Sequence, residues 1–240
     1  MNEVTNSDAT EKFRKGADFL FGILIAVSLE KAVEGFLHVA VPSWGAEAPN
    51  GSATDHAAWP LAFFRLLVFA SLIANFYFGS IKFFEETYGD KKPPTSLPGE
   101  FGWRFRVDVF SGLAHFAFFY AWSLSLTAVK EVRLPFCEVE VTPFLFMLLF
   151  VLAYDLLWLI FRRLATLRKA AAWEERDKKA NGNIFNWTWK NLIIVVLAIV
   201  AAHFVDSDSR IALEVIVSAA AMVLNLWEFA GIVGQKPAAA

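Results

Sequence analysis

The chain has one cysteine, Cys137, so no intrachain disulfide can form. It has no HExxH, GxSxG, Walker-loop or CxxC pattern. That argues against the enzyme classes these motifs mark, and the chain reads as a non-enzyme with no cofactor. Charge is scarce. Asp, Glu, Lys and Arg make up 19% of the residues, against about 25% in a soluble domain. The net charge of −2 gives no general attraction for nucleic acid. The N-terminal run MNEVTNSDATEKFRK is polar and does not read as a cleaved signal peptide. No inverted repeat of Gly/Pro-broken helices is visible, which weighs against transporters built that way. The turn DSDSR lacks the ligand spacing of a calcium loop.

What the chain does have is apolar length. Hydrophobic residues make up 57%, and they gather in six stretches: 17–42, 58–84, 104–128, 142–165, 188–205 and 210–233. Each reaches or approaches the ~20 residues that a helix needs to cross a ~30 Å hydrocarbon core. Lipid cannot satisfy bare backbone groups, so each stretch should be helical. The expected fold is all-α, a bundle of six transmembrane helices forming one membrane domain over 1–240. Thr142-Pro143 reads as an N-cap with a first-turn proline, and Trp59-Pro60 as a similar start. Three prolines make 91–99 a loop. FRRLATLRKAAAWEERDKKA is rich in helix formers, and Asn181-Gly182 supplies a stop. The fourth helix is therefore expected over 142–180, running on into the cytoplasm. Asp208 or Ser209 should cap the sixth helix.

Basic residues collect on the cytoplasmic side of membrane proteins. Lys12, Arg14 and Lys15 precede the first stretch. Lys82, Lys91, Lys92, Arg104 and Arg106 flank the second gap. Arg162, Arg163, Arg168, Lys169, Arg176, Lys178 and Lys179 follow the fourth stretch. The gap 43–57 has no Lys or Arg, and in 129–141 Lys130 and Arg133 are offset by Glu131, Glu138 and Glu140. Both termini should be cytoplasmic, which agrees with an even number of crossings. Trp44, Trp59, Trp103, Trp187 and Trp189 sit near expected helix ends, as interfacial anchors do.

Ionisable residues inside a bilayer are costly and mark function by default. Glu30, Lys31, His115 and Asp155 fall near mid-membrane. Glu34, His38, Arg65, His203 and Glu214 fall toward the outer side, and Asp108, Asn75, Asn191, Asn225 and Glu228 toward the inner. Glu30, Glu34 and His38 share one helix face. Glu34 and His38 alone are too few for a metal site. Lys31 with Asp155, and Glu34 with Arg65, are depth-matched candidates for buried ion pairs. Glu214, Ser218, Asn225 and Glu228 make a stripe on the sixth helix, beside small residues 219–221 that favour close packing. Arg104, Asp108, Ser111 and His115 make another on the third.

The segments NFYFG (75–79), YDLLWL (154–159) and WKN (189–191) resemble stretches of uncharacterised six-helix bacterial integral membrane proteins. The resemblance implies a bacterial inner-membrane setting. It implies no activity, cofactor or site residue.

The acid excess within the spans points to cations. The leading expectation is a small homo-oligomeric ion channel or pore, with defence or toxin effector membranes as one setting. Its path would use Glu30, Glu34, Asp108, His115, Glu214, Asn225 and Glu228 along a shared polar seam of helices one, three and six. One alternative is a proton-coupled transporter with a relay of Glu30, Asp155 and His115. Another is a structural or sensory subunit, in which the fourth-helix extension docks a cytoplasmic partner or anionic lipid. The lipid bilayer is the one partner common to all three. Abundant Phe, 25 residues in all, predicts a filled interior rather than an open one.

Overall fold

A computed structural model describes residues 3–41, 58–88, 98–135, 139–165 and 174–233. The gaps between them hold Trp44, Cys137, most of the 91–99 loop and 166–173, so the expectations placed there lie outside the described residues. The architecture is all-helical. Its helices are α1 (Glu3–Ala40), α2 (Trp59–Tyr88), α3 (Pro98–Ser123), α4 (Pro143–Ala165), α5 (Glu174–Ala202) and α6 (Arg210–Val233). A two-stranded hairpin, β1 (Val132–Arg133) and β2 (Glu140–Val141), joins α3 to α4.

Around the bundle the neighbours run α1, α3, α4, α5, α6, α2 and back to α1, with α2 also touching α5 and α3. The interior is filled by aromatic rings. Phe69 lies edge-on to Trp122 at 5.2 Å, Phe76 edge-on to Phe116 at 5.1 Å, and Phe21 against Phe116 at 4.9 Å. Such pairs add about 0.5–1.5 kcal/mol beyond the area they bury. Gly112 lets α1 approach α3 closely. A Cβ there would stand 2.9 Å from the Phe21 ring, itself fully buried.

Among the described residues, three helices are long and apolar enough to cross a membrane: Trp59–Glu85, Pro143–Phe161 and Ser207–Glu228. In α5 the apolar run Trp187–Ala202 is shorter. α1 carries Glu30, Lys31 and Glu34 in its apolar half, and α3 carries Arg106 and Asp108.

Local signals decide several boundaries. Thr142 does cap α4, its Oγ1 accepting from Leu145 N at 3.3 Å, with Pro143 in the first turn. Ahead of α6 the cap shown is Asp206, and it caps a short turn that precedes the helix. Its carboxylate accepts from Ser209 N at 3.0 Å and starts a 3-10 turn, Ser207–Ser209, that leads into α6. α3 begins at Pro98, inside the expected loop, because proline is tolerated in a first helical turn. The expected fourth helix over 142–180 is also corrected. Its described part ends at Ala165, and 174–180 belong to α5, which runs unbroken through Asn181-Gly182. In-chain context outweighs the roughly 1 kcal/mol that a helical glycine costs.

Candidate functional site

The two ends of the bundle are chemically distinct. At the hairpin end, Arg65 on the second turn of α2 is fully buried. Its Nε donates to Glu214 Oε1 at 2.6 Å and its Nη2 to Oε2 at 2.7 Å. Nη1 donates to the carbonyls of Leu126 and Ala128, both at 2.9 Å. Those carbonyls are free because the chain has left the α3 helix by then. Thr142 Oγ1 also donates to Glu214, and the guanidinium lies 5.2 Å from the Phe144 ring centre. One arginine thus ties α2, α6, the start of α4 and the segment after α3. Arg210, on the exposed rim, reaches Glu131 and Glu140 and fastens α6 to the hairpin.

In the middle layer, Asp155 Oδ2 accepts from Trp187 Nε1 and Asn191 Nδ2, both at 2.6 Å. Its other oxygen faces His115 Nδ1 at 3.5 Å. Trp158 Nε1 donates to Asp108 at 3.0 Å. Asn75 Nδ2 donates to both oxygens of Asn225, backbone at 2.9 Å and side chain at 3.0 Å. Toward the other end, Lys190 pairs with Glu228.

The expected ion pairs are therefore replaced. Lys31 does not meet Asp155. It donates to Glu34 at 2.6 Å, one turn away on its own helix and exposed. Arg65 pairs with Glu214 rather than Glu34. The physical reason is adjacency: α1 packs on α2 and α3, while Asp155 sits on α4 and turns toward α5. The single polar seam does not form either. The buried residues of the α3 and α6 stripes point inward, but toward several different helices rather than one shared seam. Asp108 and His115 face α4, Glu214 and Asn225 face α2, and Glu228 faces α5.

The α1 stripe points the other way. Glu30, Glu34 and His38 are exposed, on the face turned from the bundle. Glu30 makes no hydrogen bond or ion pair among the described residues. With Leu29, Val33 and Leu37 these residues line an open groove of about 600 Å³. Apolar exposed residues extend the same face toward the N-terminus: Phe19, Leu20, Ile23 and Val27. No group of three His, Cys, Asp or Glu side chains that could hold a metal ion occurs among the described residues.

Sequence reasoning missed Trp187 as a polar partner, placing it at a helix end as an anchor. In the long α5 it is an interior residue. Trp59 and Trp189 remain exposed. Thr142 was legible as a cap but not as a partner of Glu214. Compared with protein-family models, curated proteins and solved structures, the chain matches none.

Proposed function

We propose that the chain is a six-span bacterial inner-membrane protein, both termini cytoplasmic, whose copies assemble with their α1 faces turned toward a common axis and conduct cations along it. One observation carries the reading. Both Glu30, expected near mid-membrane, and Glu34, expected toward the outer side, lie on the outward face of α1, and among the described residues no cation from another helix covers them. A charged side chain facing lipid at that depth costs about 2.5–3.5 kcal/mol or more. Further copies and the water between them remove that cost. A path inside one copy has little support, because aromatic rings fill the interior and the buried carboxylates are already hydrogen-bonded.

The selectivity follows from charge. Each copy brings two carboxylates, Glu30 and Glu34, and one ammonium, Lys31, paired with Glu34; the sum is −1 with His38 neutral. Rings of such net charge draw cations and hold off anions. The inward-facing Asp108, His115, Glu214, Asn225 and Glu228 then hold the helices together and do not line the path. The proton-relay alternative loses a member, since Glu30 is on the far side of α3 and α2 from His115 and Asp155.

Purified protein in planar bilayers tests the reading. Glu30→Gln should lower cation-over-anion selectivity while Ile23→Cys still cross-links between copies. If the folded protein passes no current at any voltage or pH, the pore is wrong and the structural-subunit reading takes its place. Cysteine labelling in a Cys137→Ser background tests the topology: Ser52→Cys should react from outside and Lys178→Cys should not.

A further inference from the structure

Between α3, α4 and α5 lies a titratable pair that a pore along α1 does not use. His115 and Asp155 are each at least 94% buried in their side chains, with Nδ1 and Oδ1 3.5 Å apart. The two oxygens of Asp155 are not equivalent. Oδ2 is committed to Trp187 and Asn191, while Oδ1 faces the imidazole. On the other side, neither ring nitrogen of His115 has a hydrogen-bond partner among the described residues. The ring is packed against aromatic neighbours: Phe76 at 3.8 Å, Phe119 stacked at 5.3 Å and Tyr154 edge-on at 5.2 Å.

The surrounding charges leave the pair to balance itself. On α3, Asp108 is engaged by Trp158. On α4 the neighbour is the Tyr154 phenol. On α5, Lys190 is taken by Glu228 of α6. α2 presents Asn75 and Phe76, and α1 reaches this layer with Phe21. Arg65, toward the hairpin end, is taken by Glu214. A bare carboxylate buried without a counterion is strongly disfavoured. So is an imidazolium beside a carboxylic acid. The arrangement that is neutral overall holds one proton beyond that of the neutral imidazole, either on Oδ1 or on Nδ1.

We infer that His115 and Asp155 form a buried binding site for a single exchangeable proton. Its ligand is the proton itself, and its titration belongs to the pair rather than to either residue. The proton leaves as hydronium to water and leaves Asp155 as a carboxylate held by Trp187 and Asn191. When it returns to Oδ1 those two bonds weaken, because a neutral acid accepts less strongly than a carboxylate. Proton occupancy therefore changes the grip of α4 on α5. The inference stands whether or not α1 lines a pore.

The test uses the full chain in lipid nanodiscs. Replacing His38, His56 and His203 with Gln leaves His115 as the only histidine for ring-nitrogen NMR. Infrared pH-difference spectra of wild type follow the carboxyl groups. Between about pH 5 and 8, where histidine-linked protons exchange, either the His115 ring or a buried carboxylic carbonyl should change with a one-proton profile. That profile should disappear from the infrared spectra of Asp155→Asn, and in His115→Gln its midpoint should move by about one unit or more. If neither signal changes in wild type across that range, the pair is fixed packing and the inference fails, however the variants fold. A carboxyl band that titrates unchanged in folded Asp155→Asn would place the proton elsewhere and overturn it equally.

Discussion

Removing one partner of the Arg65–Glu214 pair should cost more than removing both. Arg65 makes four hydrogen bonds, two to Glu214 and two to carbonyls, all from a fully buried guanidinium. Arg65→Met leaves the Glu214 carboxylate with Thr142 as its only remaining side-chain donor among the described residues, and it strips the Leu126 and Ala128 carbonyls. A stranded buried charge costs about 3–5 kcal/mol, and each orphaned carbonyl adds about 1–3 kcal/mol before relaxation. Glu214→Gln should cost less than Arg65→Met, because the guanidinium keeps its two carbonyls. The double variant Arg65→Met/Glu214→Gln should recover at least ~2 kcal/mol relative to the sum of the singles. Reversible unfolding in mixed micelles, followed by near-ultraviolet circular dichroism, measures all three. Additivity within about 0.5 kcal/mol would mean that the pair does not bear on stability as argued.

Gly112→Ala should destabilise by about 1–3 kcal/mol through overpacking against Phe21, while Gly79→Ala, with open space around its Cβ, should not. Thermal unfolding in detergent compares the two. Lys31→Met should leave stability nearly unchanged, since its pair with Glu34 is exposed. It should show no rescue by Asp155→Asn; recovery in the double variant would restore the depth-matched pairing. Side-chain and backbone hydrogen bonds from Ser209 hold Asp206 below the usual aspartate range. Its cap is therefore fully formed above the unfolded value of about 3.9 and lost as pH falls through the lowered folded value. The Ser209 amide shift should follow that loss; a shift flat through the Asp206 titration would contradict the cap.

Much of the helical layout was legible because apolar runs and capping residues are local signals. Thr142-Pro143 marks the start of α4 by chemistry confined to four residues. That 174–180 belong to α5 was not legible, because the polar run after Phe161 is uniformly helix-forming. Nothing in it distinguishes one long helix from the approach to another. The hairpin left no pattern, since strands of two residues cannot show alternation. For the interior pairs, sequence supplied depth but not azimuth. Lys31 and Asp155 match in height, yet α1 and α4 are not neighbours around the ring. Arg65 and Glu214 offered a usable clue: each lies about a turn and a half past the hairpin-end start of its helix. Turning that into a pair required knowing that α2 packs on α6.

The same pair sets an order of events during synthesis. Arg65 and Glu214 are 149 residues apart. At about 5–20 residues per second, the second helix is made roughly 7–30 s before the carboxylate that neutralises its arginine. Until α6 emerges, α2 carries an uncovered cation, and the carbonyls of Leu126 and Ala128 can offer it only partial shelter. Until then α2 gains nothing from leaving its neighbours, because its buried counter-charge has not been made. A chain cut short before Glu214 exposes a charge that membrane quality control can read. The last helix thereby acts as a completeness check on the chain.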